Sequence, residues 1–213
     1  DDRFRTAAAN FIPSFSTPRG LILNKWTPRL SFSGPIARGR AWFHEGVDVF
    51  YDVDTVPELP RGQDRRRELT TSNLFRFQVN VRPSNILTAS HLWNYTDSDH
   101  SGLSFMSPVE TTTDRRRSLN MGAVRDQIYL PGGTLIELGF AATRTVLRES
   151  PQGTSAFEIT PSGYRGNYFA DHTRHSDRQQ WLADVQFGAV ERSGTHRLRA
   201  GADVQRSGFD QLS

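Results

Sequence analysis

Several histidines and carboxylates lie close enough along the chain to suggest chemistry. His44-Glu45-Gly46 contains the first two residues of a zinc-protease motif, but Asp48 stands where that motif requires its second histidine. Asp171-His172 and His175-Ser176-Asp177 supply the residue types of a nucleophilic triad, without the sharp turn that exposes a catalytic serine. A triad is defined by geometry, so closeness of these residue types in sequence does not predict catalysis. We therefore expect no enzyme, no metal site and no cofactor.

Asp48, Asp52 and Asp54 offer a different chemistry, because they share one face of a predicted strand. Carboxylate oxygens can bind Ca²⁺ when loop carbonyls complete the coordination shell. The alternative, which we favour, is that these carboxylates are solvated on the face of a water-filled lumen.

Two arginine runs, Arg65-Arg66-Arg67 and Arg115-Arg116-Arg117, each follow an aspartate at the outer end of a predicted strand. Planar guanidinium groups suit the recognition of phosphate. The runs are therefore either contacts for the phosphates of lipopolysaccharide or solvated charge runs, and the sequence leaves both interpretations open.

The elements that must position these residues are β-strands. In residues 74–82, Phe75, Phe77, Val79 and Val81 alternate with Arg76, Gln78, Asn80 and Arg82, a period of two that no amphipathic helix gives. Similar alternation predicts eight strands in all, with a bulge in the fifth, residues 117–130, where the apolar positions change phase. The predicted strands are 29–36, 41–54, 74–82, 86–96, 117–130, 136–146, 181–189 and 195–205.

The predicted connections fall into two classes that alternate along the chain. The short connections are rich in Gly, Pro, Ser and Asn, as at 82–85 and 131–133. The long ones are polar and cover roughly residues 55–71, 97–115 and 149–178. Short turns at one end and long loops at the other are typical of an up-and-down transmembrane barrel. A soluble Greek-key sandwich has no reason to keep that order.

Composition restricts the classes of protein that the chain can belong to. Hydrophobic residues make up 36% of the chain, no apolar run suits a membrane helix, and cysteine is absent. The net charge of +3 is too small and too scattered for the footprint of a nucleic-acid-binding protein, so we expect no nucleic acid. The first residues lack the basic and apolar regions of a signal peptide. Either export is signalled upstream in a longer precursor or the protein is cytosolic, and any membrane insertion would use strands.

One face of the predicted strands is too polar to be buried without water or partners, since an unpaired buried charge or amide costs several kcal/mol. In a barrel this face lines the lumen, whereas in a soluble sandwich it faces bulk solvent. Phe75, Phe77, Val79, Val81, Trp181, Val185 and Phe187 would then face lipid. The residues predicted to face the lumen are Asp48, Asp52, Arg76, Gln78, Asn80, Asp184, Gln186, Arg197 and Arg199.

Two segments carry a family resemblance. Residues 26–36 (WTPRLSFSGPI) and 39–43 (GRAWF) resemble the first barrel hairpins of TonB-dependent receptors, and are most similar to the Oar-like group with a carboxypeptidase-regulatory-like domain. The strand, Arg-Pro-Ser-Asn turn and strand of residues 74–95 resemble the next hairpin of that group. The TonB box, the plug and a C-terminal strand with a terminal aromatic residue are missing from the pattern. The family's barrels have 22 strands around a plug, so the resemblance implies a barrel fragment.

We therefore expect an all-β antiparallel up-and-down meander of about eight strands, part of a transmembrane β-barrel, whose first and last strands do not pair. Residues 1–28 would be an irregular lead-in and 29–213 the barrel portion. The resemblance implies a receptor in the bacterial outer membrane that imports an unidentified ligand, coupled to the TonB system through parts outside this chain. Its surroundings would be outer-membrane lipid and lipopolysaccharide. The alternatives are a complete eight-stranded outer-membrane protein of structural, adhesive or hydrolytic function, and a soluble carbohydrate-binding β-sandwich.

Overall fold

The computed structural model describes residues 25–167 and 171–212, and in this part of the chain the only helical element is a 3₁₀ turn at Val109–Thr111. Most of the predicted lead-in lies outside the described residues, but Lys25 and Trp26 form a strand and are not irregular. The strands are β1 (Lys25–Trp26), β2 (Arg29–Ala37), β3 (Ala41–Thr55), β4 (Arg65–Arg82), β5 (Asn85–Ser101), β6 (Thr113–Leu130), β7 (Thr134–Pro151), β8 (Glu158–Thr160), β9 (Gly163–Arg165), β10 (His172–Gln186), β11 (Val190–Glu191), β12 (Thr195–His196) and β13 (Arg199–Leu212).

The long strands form one antiparallel meander. The sheet has the order β1-β3-β4-β5-β6-β7-β10-β13, and β2 lies beside β1 on the same edge of β3. Each long strand pairs with the long strands before and after it in the sequence, as short turns and single loops between antiparallel neighbours require. The predicted all-β meander of about eight strands is confirmed.

The two edges of this sheet do not meet. Among the described residues, β1 and β2 pair only with β3, and β13 pairs only with β10. The sheet is therefore open, and the prediction that the first and last strands remain unpaired is confirmed.

The strands extend further toward the long loops than the alternation predicted. β4 begins at Arg65, β5 ends at Ser101 and β10 begins at His172, although these residues were assigned to the polar loops 55–71, 97–115 and 149–178. Near these ends both faces are polar, so the alternation disappears while backbone pairing continues. Both arginine runs consequently lie inside strands.

The bulge predicted in residues 117–130 is wrong. β6 pairs with β7 without a shift from Thr113 to Leu130, and the apolar residues change phase because the polar face accepts Leu119 and Met121 between its arginines. The register shifts instead between Pro35 and Ala37, between Asn80 and Arg82, and between Ser98 and Ser101.

The last predicted hairpin is also shorter on both sides. β10 ends at Gln186 and β13 begins at Arg199, with the two-residue strands β11 and β12 paired between them. Phe187, which we expected to face lipid from a strand, therefore lies in the connection.

The register assigns the strand residues to two faces, because direct cross-strand partners lie on the same side of a sheet. On one side, aromatic rings contact each other across strands, with ring centroids 5.7 Å apart for Phe32 and Phe43 and 5.6 Å apart for Phe140 and Trp181. We call this side the apolar face and the opposite side the polar face. One row of the apolar face crosses seven strands through Phe43, Phe77, Ala89, Val124, Phe140, Trp181 and Val204.

No second layer covers the apolar face within the described residues. The only buried apolar residues of this part are Ala41 and Leu103, whereas Phe140, Trp181 and Val204 are 40%, 42% and 60% exposed. A sheet that is apolar on one side must bury that side against something. The apolar face therefore needs a covering that is not supplied by these residues.

The turn that follows β6 contacts the β10–β13 connection, and this contact allows no side chain at Gly188. A Cβ atom at residue 188 would lie 1.8 Å from the carbonyl oxygen of Gly132, whereas a Cβ at Gly122 in β6 would meet no atom within 4 Å. We predict that Gly188→Ala destabilises the full-length protein by about 1–3 kcal/mol, measured as a lower urea midpoint. Gly122→Ala is the control, and equal midpoints for the two variants would contradict the contact.

Candidate functional site

The polar face collects almost all of the residues predicted to line a lumen. Cross-strand pairing places Asp48 and Asp52 of β3 on the same side as Arg76, Gln78 and Asn80 of β4. Through β5, β6 and β7 the same side continues to Asp184, Gln186 and Arg199. Arg197 is the exception, because it lies between β12 and β13 and belongs to no strand.

The polar face contains a row of paired charges near the short turns, formed by Arg125, Glu137, Asp184 and Arg199. Glu137 and Asp184 are direct cross-strand partners, and both are buried. Glu137 accepts hydrogen bonds from Arg125 and Gln127. Arg199 donates from Nε to the two carboxylate oxygens of Asp184 at 2.9 and 2.8 Å. Each buried carboxylate thus has its own guanidinium, as two adjacent negative charges require.

A second polar cluster occupies the opposite end of the same face, where the long loops meet the sheet. A cavity of about 630 Å³ opens there between the strand ends and the segments 102–112 and 152–167, and we call it the loop-end cleft. The side chains that give it its chemistry are Thr113, Arg115, Glu149, Tyr164, His172 and Arg174.

Glu149 is the centre of the loop-end cleft. Its side chain is 9% exposed, Arg115 donates to its Oε1, and His172 Nε2 lies 2.6 Å from its Oε2. His172 and Glu149 are direct partners across β10 and β7, and Glu149 is also the direct partner of Arg115 across β7 and β6. Three adjacent strands therefore fix this carboxylate in place.

The two loop segments that close the cleft are tied to each other by backbone. Tyr164 N of the second segment donates to Met106 O of the first at 2.7 Å, and within the second segment Asn167 N donates to Ser155 O at 2.8 Å. The ring centroids of Phe157 and Tyr164 are 5.5 Å apart. Gly163 has φ +131°, and a Cβ there would lie 2.9 Å from Met106 O. The contact between the segments therefore depends on a glycine at this position.

The histidine patterns from the sequence are not brought together as catalytic groups. His44 lies on the polar face and Glu45 on the apolar face, where Glu45 accepts a hydrogen bond from Asn73. His175 and Ser176 likewise lie on opposite faces of β10. Within residues 25–167 and 171–212, no group of three or more His, Asp or Glu side chains is placed to hold a metal ion, and this includes the aspartates of β3.

The arginine runs are divided between the faces, because neighbouring residues of a strand point to opposite sides. Arg66, Arg115 and Arg117 lie on the polar face, and Arg66 pairs with Asp54. Arg65, Arg67 and Arg116 lie on the apolar side. The runs therefore cannot act as two continuous phosphate-binding surfaces.

Two of the arginines on the apolar side are paired with carboxylates of β5, at the loop end of the sheet. Arg67 lies 2.8 Å from Asp99, and Arg116 Nε lies 3.2 Å from Asp97. The hydrogen bond to Asp99 raises the pKa of Arg67, and the one to Asp97 raises the pKa of Arg116. Both guanidinium groups stay charged at any physiological pH.

Sequence reasoning missed the residues of the loop-end cleft. His172 and Arg174 were assigned to a loop, and Glu149 to its start, because the alternation ends before them. The remaining signal was compositional, since a histidine and arginines occur beside carboxylates at 114–115, 148–149 and 171–174.

The charge row makes the polar face sensitive to the loss of one carboxylate. We predict that Glu137→Gln weakens the full-length protein by about 1–3 kcal/mol, because Arg125 loses its buried charged partner. Glu158→Gln, an exposed residue of β8, is the matched control for the loss of one negative charge. Urea unfolding measures both, and an unchanged Glu137→Gln midpoint would show that the row does not contribute to stability.

Within the described residues, no helix is long and apolar enough to cross a membrane. The chain matches no family model, no curated protein and no solved structure. The similarity of residues 26–50 and 74–96 to TonB-dependent receptors therefore stays a prediction based on motifs.

Proposed function

We propose that the chain is part of the barrel of a bacterial outer-membrane receptor of the TonB-dependent type, which imports a ligand by energy-coupled transport. The observation that carries this proposal is the outline of the apolar face. Its border with the charged residues runs diagonally across the strands.

The border is defined by the first residue with a formal charge that each long strand from β4 to β13 places on the apolar side, counted from the short turns and beyond the register shift that sets Arg82 opposite Asn85. Two carboxylates inside the band are left out of this definition, and each accepts a hydrogen bond from an asparagine: Glu45 from Asn73, and Asp126 from Asn85. The border residues are Arg67 in β4, Asp97 in β5, Arg116 in β6, Arg144 in β7, Asp177 in β10 and Arg206 in β13.

The slope of this border fits tilted membrane strands. Arg206 lies in the same cross-strand row as Phe75, which is eight residues along β4 from Arg67. Eight residues at about 3.3 Å each correspond to a shift of about 26 Å along the strands. From β4 to β13 there are five strand spacings of about 4.8 Å, which add up to about 24 Å across the strands. These lengths give a slope of about 45°, and outer-membrane barrel strands are tilted by about 35–45°.

The two alternatives fit these features less well. A soluble sandwich needs a second sheet on its apolar face, and the described residues supply none. A complete eight-stranded barrel needs its first and last strands to pair, and β2 and β13 lie at opposite edges. In a larger barrel, both edges of this sheet would pair with further strands, and its polar face would line a water-filled lumen.

The choice of receptor type rests on the motifs. The GPI segment lies at the end of β2, the GRAWF segment leads into β3, and the Arg-Pro-Ser-Asn turn joins β4 to β5. Each motif thus coincides with a hairpin, as the resemblance implies.

Fractionation of the native full-length gene product tests the proposal. We expect it in the outer-membrane fraction, with an electrophoretic mobility that changes on heating, because a folded barrel resists detergent until it is heated. A product in the soluble fraction would rule out both membrane hypotheses.

Two neighbouring residues of β4 test which face contacts lipid. Phe75 is 39% exposed on the apolar face and Leu74 is 40% exposed on the polar face. We predict that Phe75→Arg impairs assembly by about 2–4 kcal/mol, because the site lies midway along the apolar stretch of β4, whereas Leu74→Arg is tolerated in a water-filled lumen. The amount of heat-modifiable protein in the outer membrane measures both, and equal losses would contradict the assignment of faces.

A further inference from the structure

We propose that the loop-end cleft binds an anionic saccharide, which is the ligand taken up by the receptor. The identification of this saccharide as the transported ligand rests on the proposed function. Binding at the cleft is argued separately, from the residues that line it.

The size of the cleft suits a short oligosaccharide. Its volume of about 630 Å³ lies within the range of about 300–1,000 Å³ that is typical of small-molecule sites. The backbone hydrogen bond between Tyr164 and Met106 holds its loop wall in place before a ligand arrives. A site that is already ordered loses less conformational entropy on binding.

The charge of the cleft selects an anion. The charge of Glu149 is already offset by Arg115, which donates to its Oε1. Within the described residues, the hydrogen-bond partner of Arg174 is the neutral Gln211, with Arg174 Nε 3.1 Å from Oε1. The guanidinium of Arg174 is therefore the positive charge that a ligand carboxylate, sulfate or phosphate would meet.

A smaller adjoining cavity strengthens this positive wall. It has a volume of about 280 Å³ and is lined by Arg115, Arg117 and Arg174 without any carboxylate. Arg117 and Arg174 are both direct partners of Leu147, so they lie in one row of the polar face. An acidic chain that extends from the larger cavity into the smaller one would pass Arg174 and Arg117, beside Arg115, which is paired with Glu149.

The remaining lining residues fit a sugar better than an aliphatic anion. Phe157 and Tyr164 present an aromatic pair, and the C–H groups of a sugar ring pack against such rings. Ser101, Ser107 and Thr113 add hydroxyl groups that both donate and accept hydrogen bonds. The combination of aromatic rings, hydroxyls and unshared guanidinium charge is what a sugar acid requires.

Binding to the purified full-length receptor in detergent tests the inference, with trigalacturonate and a heparin disaccharide as acidic probes. Neutral galactotriose and inorganic phosphate are the comparison probes. We expect at least one acidic saccharide to bind at least about tenfold more tightly than either comparison probe. Failure of both acidic saccharides to bind, or equal binding of phosphate or galactotriose, would overturn the proposal.

Two variants locate the site. Arg174→Gln should weaken binding of the acidic saccharide by about tenfold or more, because a charge-assisted contact is lost, and Tyr164→Ala should weaken it as well. Arg144→Gln is the control, since Arg144 lies on the apolar side and faces Asp177 at 3.8 Å.

Arg174→Lys, which keeps the charge, should retain part of the affinity, and heat-modifiable migration confirms that each variant is folded. Unchanged affinity in folded Arg174→Gln would overturn the site, and this outcome is independent of fractionation, which tests the membrane proposal.

Discussion

The continuity of the antiparallel register is the constraint on which this structure depends. Because side chains alternate with a period of two, a slip of one residue between any two strands would move apolar side chains onto the polar face. From β3 to β13 the pairing keeps phenylalanines, valines and a tryptophan on one side and paired charges on the other. The three irregularities each shift the register by one residue, but they lie near strand ends, where only the last pair of each hairpin or strand pair is affected.

The polar face shows how a sheet can bury carboxylates by pairing each of them with a neighbouring strand. Buried carboxylates occur at both ends, at Glu137 and Asp184 near the turns and at Glu149 near the loops. In each case the arginine partner lies in the same cross-strand row of the polar face or in the next row. Gly201 contributes by leaving space, since a Cβ there would lie 2.6 Å from Asp184 Oδ2. Charge pairing and backbone pairing therefore support the same register.

The sequence predicted the middle of the sheet well and its ends poorly. Phe75 to Val81 alternate because one face is apolar, so their strand and its faces follow from pattern alone. Arg65 and His172 lie in strands that are polar on both sides, where only pairing with a neighbouring strand decides the conformation. The loop-end cleft was not predictable for a related reason. Arg115, Glu149 and His172 come from three strands, and only the register brings them together.

The two edges of the sheet differ in their capacity to accept another strand. On one edge, Pro28 separates β1 from β2, and Pro35 within β2 has no amide hydrogen to donate. On the other edge, β13 runs for 14 residues without proline, and all its residues are exposed. A long regular edge is a template for strand addition. Of the two edges, the one formed by β13 is therefore the one suited to accept a further strand, and a solvent-exposed copy of it would be the site of edge-to-edge aggregation.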